Sequence, residues 1–282
     1  MYIKPPAINQ VKNIIKYANI SLNTSLTTIK ALNEEAKRNK IIHRVIIMIE
    51  LGELREGVLR ENILSFYEEI FKLKNIKVIG IGTNLGCMYG IEPTYDKLMQ
   101  LSLYEKLIET TFNQTIELNS GGSSITLPLI KKNKIPNEIN HFRVGEAALL
   151  GKSPLNNKRF MNLSTKTFEF NAEIIELYKK EINPDGVIGE GGIGNVVDIK
   201  PLAVTNKSYR ALVDFGQIDV SSEKMEPSDK SVKFIGTTSD MTVYNIGNKS
   251  GKYNVGKTID FFPNYSAVAQ LMNSKYITKK IK

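Results

Sequence analysis

The chain has 282 residues, 41% of them hydrophobic, enough for one large domain or two ordinary ones. No run of about 18 apolar residues occurs and the start, Met1-Tyr2-Ile3-Lys4-Pro5-Pro6, has no signal-peptide core, so neither a membrane span nor export is expected. The formal charge of +9 is scattered among Asn and Ile, apart from Lys279, Lys280 and Lys282, which fits a solvated surface and not a nucleic-acid face.

Tyr2 to Lys4 is expected as a short strand stopped by Pro5-Pro6. Asn9 to Tyr17 carries Val11, Ile14 and Ile15 at helical spacing, and Ile20 to Leu22 reads as a second strand. Thr24 to Arg38 has a Ser/Thr start, Leu26, Ile29 and Leu32 on one face and a basic end, the marks of a helix. His43 to Glu50 contains Val45-Ile46-Ile47-Met48-Ile49, the pattern of a parallel strand covered on both faces. A helix over Arg60 to Lys72, a strand over Ile76 to Ile81, a helix over Thr94 to Thr111 and a strand over Thr115 to Ser120 follow. A short helix and the strand Ile139 to Arg143 close the series. Strand–helix alternation repeated six times predicts an α/β fold with a parallel sheet.

After Gly151 the character changes. Short alternating runs at Phe168 to Ala172, Ala211 to Phe215, Val232 to Ile235 and Met241 to Ile246 predict a second, mainly β domain. Turn signals separate them at Asn183 to Gly186, Gly189 to Gly194 and Gly247 to Gly251. Helical stretches are expected near Ile174 to Lys180 and Ser266 to Met272. The domains are therefore drawn as 1–151 and 152–282.

Polar and glycine-rich residues gather after the strand ends, at Gly52 to Gly57, Gly82 to Gly90, Ser120 to Ser124 and Arg143 to Glu146. That is where α/β proteins place their sites. Ser120-Gly121-Gly122-Ser123-Ser124 and Arg143-Val144-Gly145-Glu146 each read as a strand breaking into a turn before a helix, a setting that suits a phosphate. Taken alone, the glycines fit an ordinary loop; two such turns at consecutive strand ends favour the phosphate. The single cysteine, Cys87, excludes an internal disulfide and fits a reducing cytoplasm. With only His43 and His141 beside it, no zinc site is expected, and both histidines are read as structural.

Four segments together resemble a known family. Met48-Ile49-Glu50-Leu51-Gly52-Glu53-Leu54-Arg55-Glu56-Gly57, Gly80-Ile81-Gly82-Thr83-Asn84-Leu85-Gly86-Cys87, the Ser-Gly-Gly-Ser-Ser turn and Asn140-His141-Phe142-Arg143-Val144-Gly145-Glu146 are similar to motifs of fold-type III pyridoxal phosphate (PLP) enzymes. They resemble most the ornithine racemase branch of the alanine racemase family. The resemblance runs into Phe262-Pro263-Asn264-Tyr265-Ser266.

The resemblance implies a TIM-type (β/α)8 PLP barrel, here incomplete with about six units, followed by the β-rich domain. It implies an amino-acid racemase of the cytoplasm, a homodimer acting on ornithine, or else alanine, in which one base removes the α-proton and another delivers a proton to the opposite face. No nucleic acid or membrane partner is implied. Carried over by residue, Arg143 faces the pyridine nitrogen and Asn84 lies near the ring. Ser120, Gly121, Gly122, Ser123 and Ser124, with the N–H groups of Gly145 and Glu146, hold the phosphate, and Tyr265 reaches it from the second domain. Arg55 meets the substrate carboxylate or positions a catalytic group; a plain ion pair with a neighbouring glutamate is the other reading. Tyr209 is a candidate second base by rough location, and Glu50, Glu53 or Glu56 is the guess for a substrate ammonium. The chain matches the family from its third strand, so the cofactor-carrying lysine, expected roughly 70 residues upstream, has no counterpart here. The alternative expectation is thus a catalytically incomplete PLP-binding protein, or a fragment completed by a separate N-terminal segment.

Overall fold

The structure, a computed structural model, describes residues 1–187, 189, 195–196, 207–248 and 251–281. The turn signals at 190–194 and 249–250, and Lys282 in the basic tail, lie outside them. The chain divides into two compact units, Met1–Leu163 and Ser164–Lys282.

In the first unit a 3-10 turn leads into α1 (Val11–Tyr17), followed by β1 (Ile20–Asn23), α2 (Leu26–Arg38), β2 (His43–Ile49), α3 (Ile63–Phe71), β3 (Ile76–Thr83) and α4 (Tyr95–Phe112). Then come β4 (Leu118–Ser123), α5 (Leu127–Lys131), β5 (His141–Arg143) and α6 (Glu146–Leu150). The five strands are parallel and lie in chain order β1-β2-β3-β4-β5. The expected strand at Tyr2 to Lys4 is a single parallel bridge from Tyr2 to Ser21. Pro5 and Pro6 bring no N–H with which to extend it.

β2 is buried on both faces, as its β-branched run requires. Val45, Ile47 and Ile49 join Ile29 and Leu32 of α2, Tyr67 of α3 and Leu101 of α4 in one core. Ile46 and Met48 pack on the opposite face with Leu22 and Ile79. On that face β3 presents glycines. A Cβ on Gly80 would stand 2.8 Å from the Leu118 carbonyl oxygen and 3.0 Å from Ile46 Cγ1. Helix starts follow the sequence signals: the Thr94 hydroxyl oxygen accepts the Lys97 N–H at 3.2 Å ahead of α4.

The loop after β2 grips the loop after β3. Glu53 is 1% exposed, and its carboxylate accepts the backbone N–H groups of Gly86 (2.9 Å), Cys87 (2.9 Å), Tyr89 (2.8 Å), Gly90 (3.3 Å) and Ile91 (3.1 Å). Burial pushes its pKa up, but the amides outweigh this and hold it below the usual carboxylate value of 4.5. Glu53 is therefore committed to backbone and is not a free partner for a substrate ammonium.

The second unit is one antiparallel sheet of β6 (Phe170–Glu181), β7 (Asn195–Val196), β8 (Lys207–Val213), β9 (Met225–Pro227), β10 (Lys233–Thr237), β11 (Thr242–Gly247) and β12 (Thr258–Pro263). Its order is β7-β10-β11-β8-β6-β12-β9. The helix α7 (Tyr265–Asn273) follows, capped by Asn264, whose side-chain oxygen accepts the Ala267 N–H at 2.9 Å. Aromatic rings fill the core, with Phe170 and Phe215 edge to face at 5.3 Å and Tyr244 against Phe261 at 5.3 Å. The helix expected near Ile174 to Lys180 is instead part of β6. Phe170, Ala172 and Ile174 are buried while Asn171, Glu173 and Ile175 are exposed, the alternation of a strand, and pairing with β8 and β12 fixes it. β7, β9 and β12 have no counterpart among the predicted alternating runs. In the first unit β4 runs on through both glycines to Ser123, so Gly121 and Gly122 lie in the strand and not in the turn after it.

Gly80→Ala is expected to lower stability by about 1–3 kcal/mol through overpacking. Gly251→Ala, where a Cβ meets nothing within 4 Å, should stay within about 0.5 kcal/mol in the same urea titration. Because the folded pKa of Glu53 lies below 4.5, its carboxylate contributes stability above that pH and loses it as the pH falls through the folded value. Glu53→Gln should therefore cost roughly 1–3 kcal/mol at pH 7, with the gap to wild type closing in acid; a gap constant with pH would refute this assignment.

Candidate functional site

The carboxyl ends of β2, β3 and β5 are joined by hydrogen bonds with Ser120 in the middle of β4. Arg143, at the end of β5, donates from Nη1 to Ser120 Oγ (2.5 Å) and from Nη2 to the Thr83 carbonyl (2.8 Å). The Thr83 hydroxyl in turn donates to the Ile49 carbonyl at 3.0 Å. Ser120 is fully buried, and its Oγ also stands 2.9 Å from His141 Nδ1. Burial pulls the pKa of Arg143 down to about 10, with Glu56 opposing this and Arg55 adding to it. Arg143 remains a cation at neutral pH. Burial first, and Arg143 second, lower the pKa of His141.

The register explains how Arg143 reaches Ser120. Ser120 pairs with His141 and Ser123 with Arg143, so three steps along β4 match two along β5. The bulge falls at Gly122, whose φ of +109° suits glycine and whose Cβ would stand 2.6 Å from Thr126 Oγ1. The turn that follows is tied to α6: Ser124 Oγ accepts the N–H groups of Gly145 (3.2 Å) and Ala147 (3.1 Å). The Gly145 N–H, expected to face a phosphate, is thus bonded to Ser124. With both lone pairs engaged, the buried Ser124 hydroxyl keeps its hydrogen as a donor. Glu146 opens α6, and burial raises its carboxyl pKa.

Asn84 follows β3 and is 8% exposed, and its Nδ2 has no hydrogen-bond partner among the described residues. This Nδ2 is one of seven buried side-chain atoms so left among the described residues, and Asn84 directly follows Thr83, whose carbonyl holds Arg143. Arg55 forms the ion pair that the plainer reading foresaw: Nη2 donates to Glu56 Oε1 (2.7 Å), Nε to Glu56 Oε2, and Nη1 to Cys87 Sγ. Glu50 is likewise engaged, accepting the N–H groups of Gly52 and Arg55. In the second unit Tyr265 is the first residue of α7 and 42% exposed. Tyr209 lies in β8, partly buried against the aromatic core.

Sequence reasoning missed Thr83, and it read His141 only as structural. The signal for His141 was available: it stands two residues before Arg143 on a strand, so both side chains leave the same face. Among the described residues no cluster of three or more His, Cys, Asp or Glu is arranged to hold a metal, and no helix is long and apolar enough to cross a membrane.

Residues 1–154 match the alanine racemase N-terminal domain family. The chain is 35% identical to an ornithine racemase of Acetoanaerobium sticklandii over 282 residues, all of this chain and 79% of that protein. It is 31% identical to a lysine racemase of Thermotoga maritima, covering 99% of this chain and 77% of that one. The fold is that of an alanine racemase from Clostridium difficile 630, at a TM-score of 0.64 and 17% identity over 95% of this chain and 69% of the other. The chain belongs to the alanine racemase family of PLP-dependent amino-acid racemases.

Proposed function

We propose that this chain racemises a basic amino acid, with ornithine preferred over lysine and alanine, and that it binds PLP at the carboxyl ends of β3, β4 and β5. The observation that carries this is Arg143, a cation held by two bonds at those ends beside the buried, unpartnered amide of Asn84. The donor set fits the cofactor. Guanidinium donors suit a ring nitrogen that stays unprotonated, since arginine offers hydrogens and takes none. The hydroxyls of Ser123 and Ser124, with the backbone at Gly121 and Gly122, suit a phosphate. PLP bound there would supply the electron withdrawal that acidifies the α-proton.

The chain's own residues have distinct tasks in this reading. Arg143 orients the ring and, as an arginine, limits protonation of its nitrogen, which favours racemisation over side reactions. Asn84 gives its free amide hydrogen to the site. Arg55, tied to Glu56, presents its guanidinium to the substrate carboxylate. Tyr209 is the candidate second base and a homodimer the assembly. The preference for ornithine is supported by the 35% identity to an ornithine racemase along the full chain.

The full chain, supplied with PLP and with L-ornithine, L-lysine or L-alanine in turn, is assayed for the D-enantiomer by chiral chromatography. Ornithine should give the highest kcat/KM, about ten-fold or more above alanine. Arg143→Gln should lower it by about 100-fold. The assay is run with and without a co-expressed N-terminal segment carrying the lysine that the family resemblance places upstream. No D-product from any of the three substrates in either form would sink the reading, and alanine ahead of ornithine would sink the substrate.

A further inference from the structure

The contacts of the Ser120 hydroxyl determine which nitrogen of His141 carries the hydrogen. A serine hydroxyl has one hydrogen and two lone pairs. One lone pair of Ser120 takes the Arg143 Nη1 hydrogen. The other contact of Oγ among the described residues is His141 Nδ1, at 2.9 Å. Were Nδ1 protonated, Oγ would accept twice, and its own hydrogen would face no acceptor in a fully buried position. Buried hydroxyls are rarely left so. With Nδ1 bare, the hydroxyl donates to it and all three groups are paired.

We infer that His141 is a positioning residue: a neutral imidazole with its hydrogen on Nε2, which takes the Ser120 hydrogen on Nδ1 and so turns the Ser120 oxygen to Arg143. Donation runs one way, from guanidinium to hydroxyl to imidazole, and each bond polarises the next. The Thr83 carbonyl anchors the other end of the guanidinium. Two of its five N–H donors are thereby fixed, which sets the plane in which the others are offered. The inference rests on the reading that Arg143 serves PLP. It adds that β5 carries, two residues before the arginine, the group that aims it.

The test is 15N spectroscopy of the full chain labelled at histidine. The chain has two histidines, so either His43→Gln or His141→Gln assigns both signal sets. His141 should show a bare, hydrogen-bonded Nδ1 and a protonated Nε2, and Ser120→Ala should move Nδ1 toward the free-imidazole position. A hydrogen on Nδ1 in the wild type overturns the inference. PLP retention in equilibrium dialysis supplies the second readout. His141→Leu should bind about ten-fold more weakly, the worth of roughly one hydrogen bond. His141→Gln, whose amide oxygen replaces Nδ1 as acceptor, should stay within about three-fold. Equal affinity of the Leu variant and wild type overturns the positioning role. Should wild type bind no PLP, the function proposed above fails, and the nitrogen signals alone decide the relay.

Discussion

A guanidinium taken out of water must be repaid in hydrogen bonds, and the site depends on how Arg143 meets that demand. Desolvation is the larger force on its charge, strong enough to bring the pKa to about 10. The carbonyl of Thr83 and the hydroxyl of Ser120 answer it from two different strands. β5 is three residues long and lies at the sheet's edge, where backbone pairing alone is thin. The arginine reaches past β4 to β3 and binds this short strand to the interior of the sheet. Binding chemistry and the anchoring of β5 therefore share one side chain.

β4 separates two polar systems by the alternation of a strand. Ser120 belongs to the arginine system. Asn119, one residue earlier, sends Nδ2 to Glu105 Oε2 of α4 at 2.7 Å. Glu105 is 6% exposed, and burial raises its pKa. Asn140 closes this second system, its Oδ1 accepting the Asn119 N–H and its Nδ2 donating to the Glu117 carbonyl. Successive residues of β4 thus lock the strand to its helix on one side and prepare the site on the other.

Most of the α/β unit is legible in the sequence because its signals are local. The run from Val45 to Ile49 can be satisfied only by apolar cover on both faces, and the structure supplies it. Arg143, Asn84, Ser123 and Ser124 stand at strand ends, where the position of a residue in a motif already says where it will lie. What escaped is non-local. Ile174 to Lys180 has residues compatible with a helix, and only cross-strand partners some 35 residues away in β8 make it β6. The bulge between Ser120 and Ser123 shows itself only in the pairing of β4 with β5, some 20 residues further along the chain. Glu53, Glu56 and Arg55 are equally charged loop residues in the sequence. That one clasps five amides while the other two pair with each other is decided by where the next loop passes.

That clasp treats side chain and backbone differently. Glu53 holds residues 86–91 through amide hydrogens alone, while Met88 and Tyr89 turn outward, 56% and 64% exposed. Any residue but proline brings an amide hydrogen, so the letters at 88 and 89 are free to be rewritten. The spacing is not: one residue more or fewer would carry the amides out of reach of a carboxylate fixed on another loop. At positions 88 and 89 the segment beside Asn84 is specified by its length and not by its spelling, whereas Gly86, at a φ of +66° and with Ile125 Cδ1 2.2 Å from where a Cβ would stand, has to be glycine.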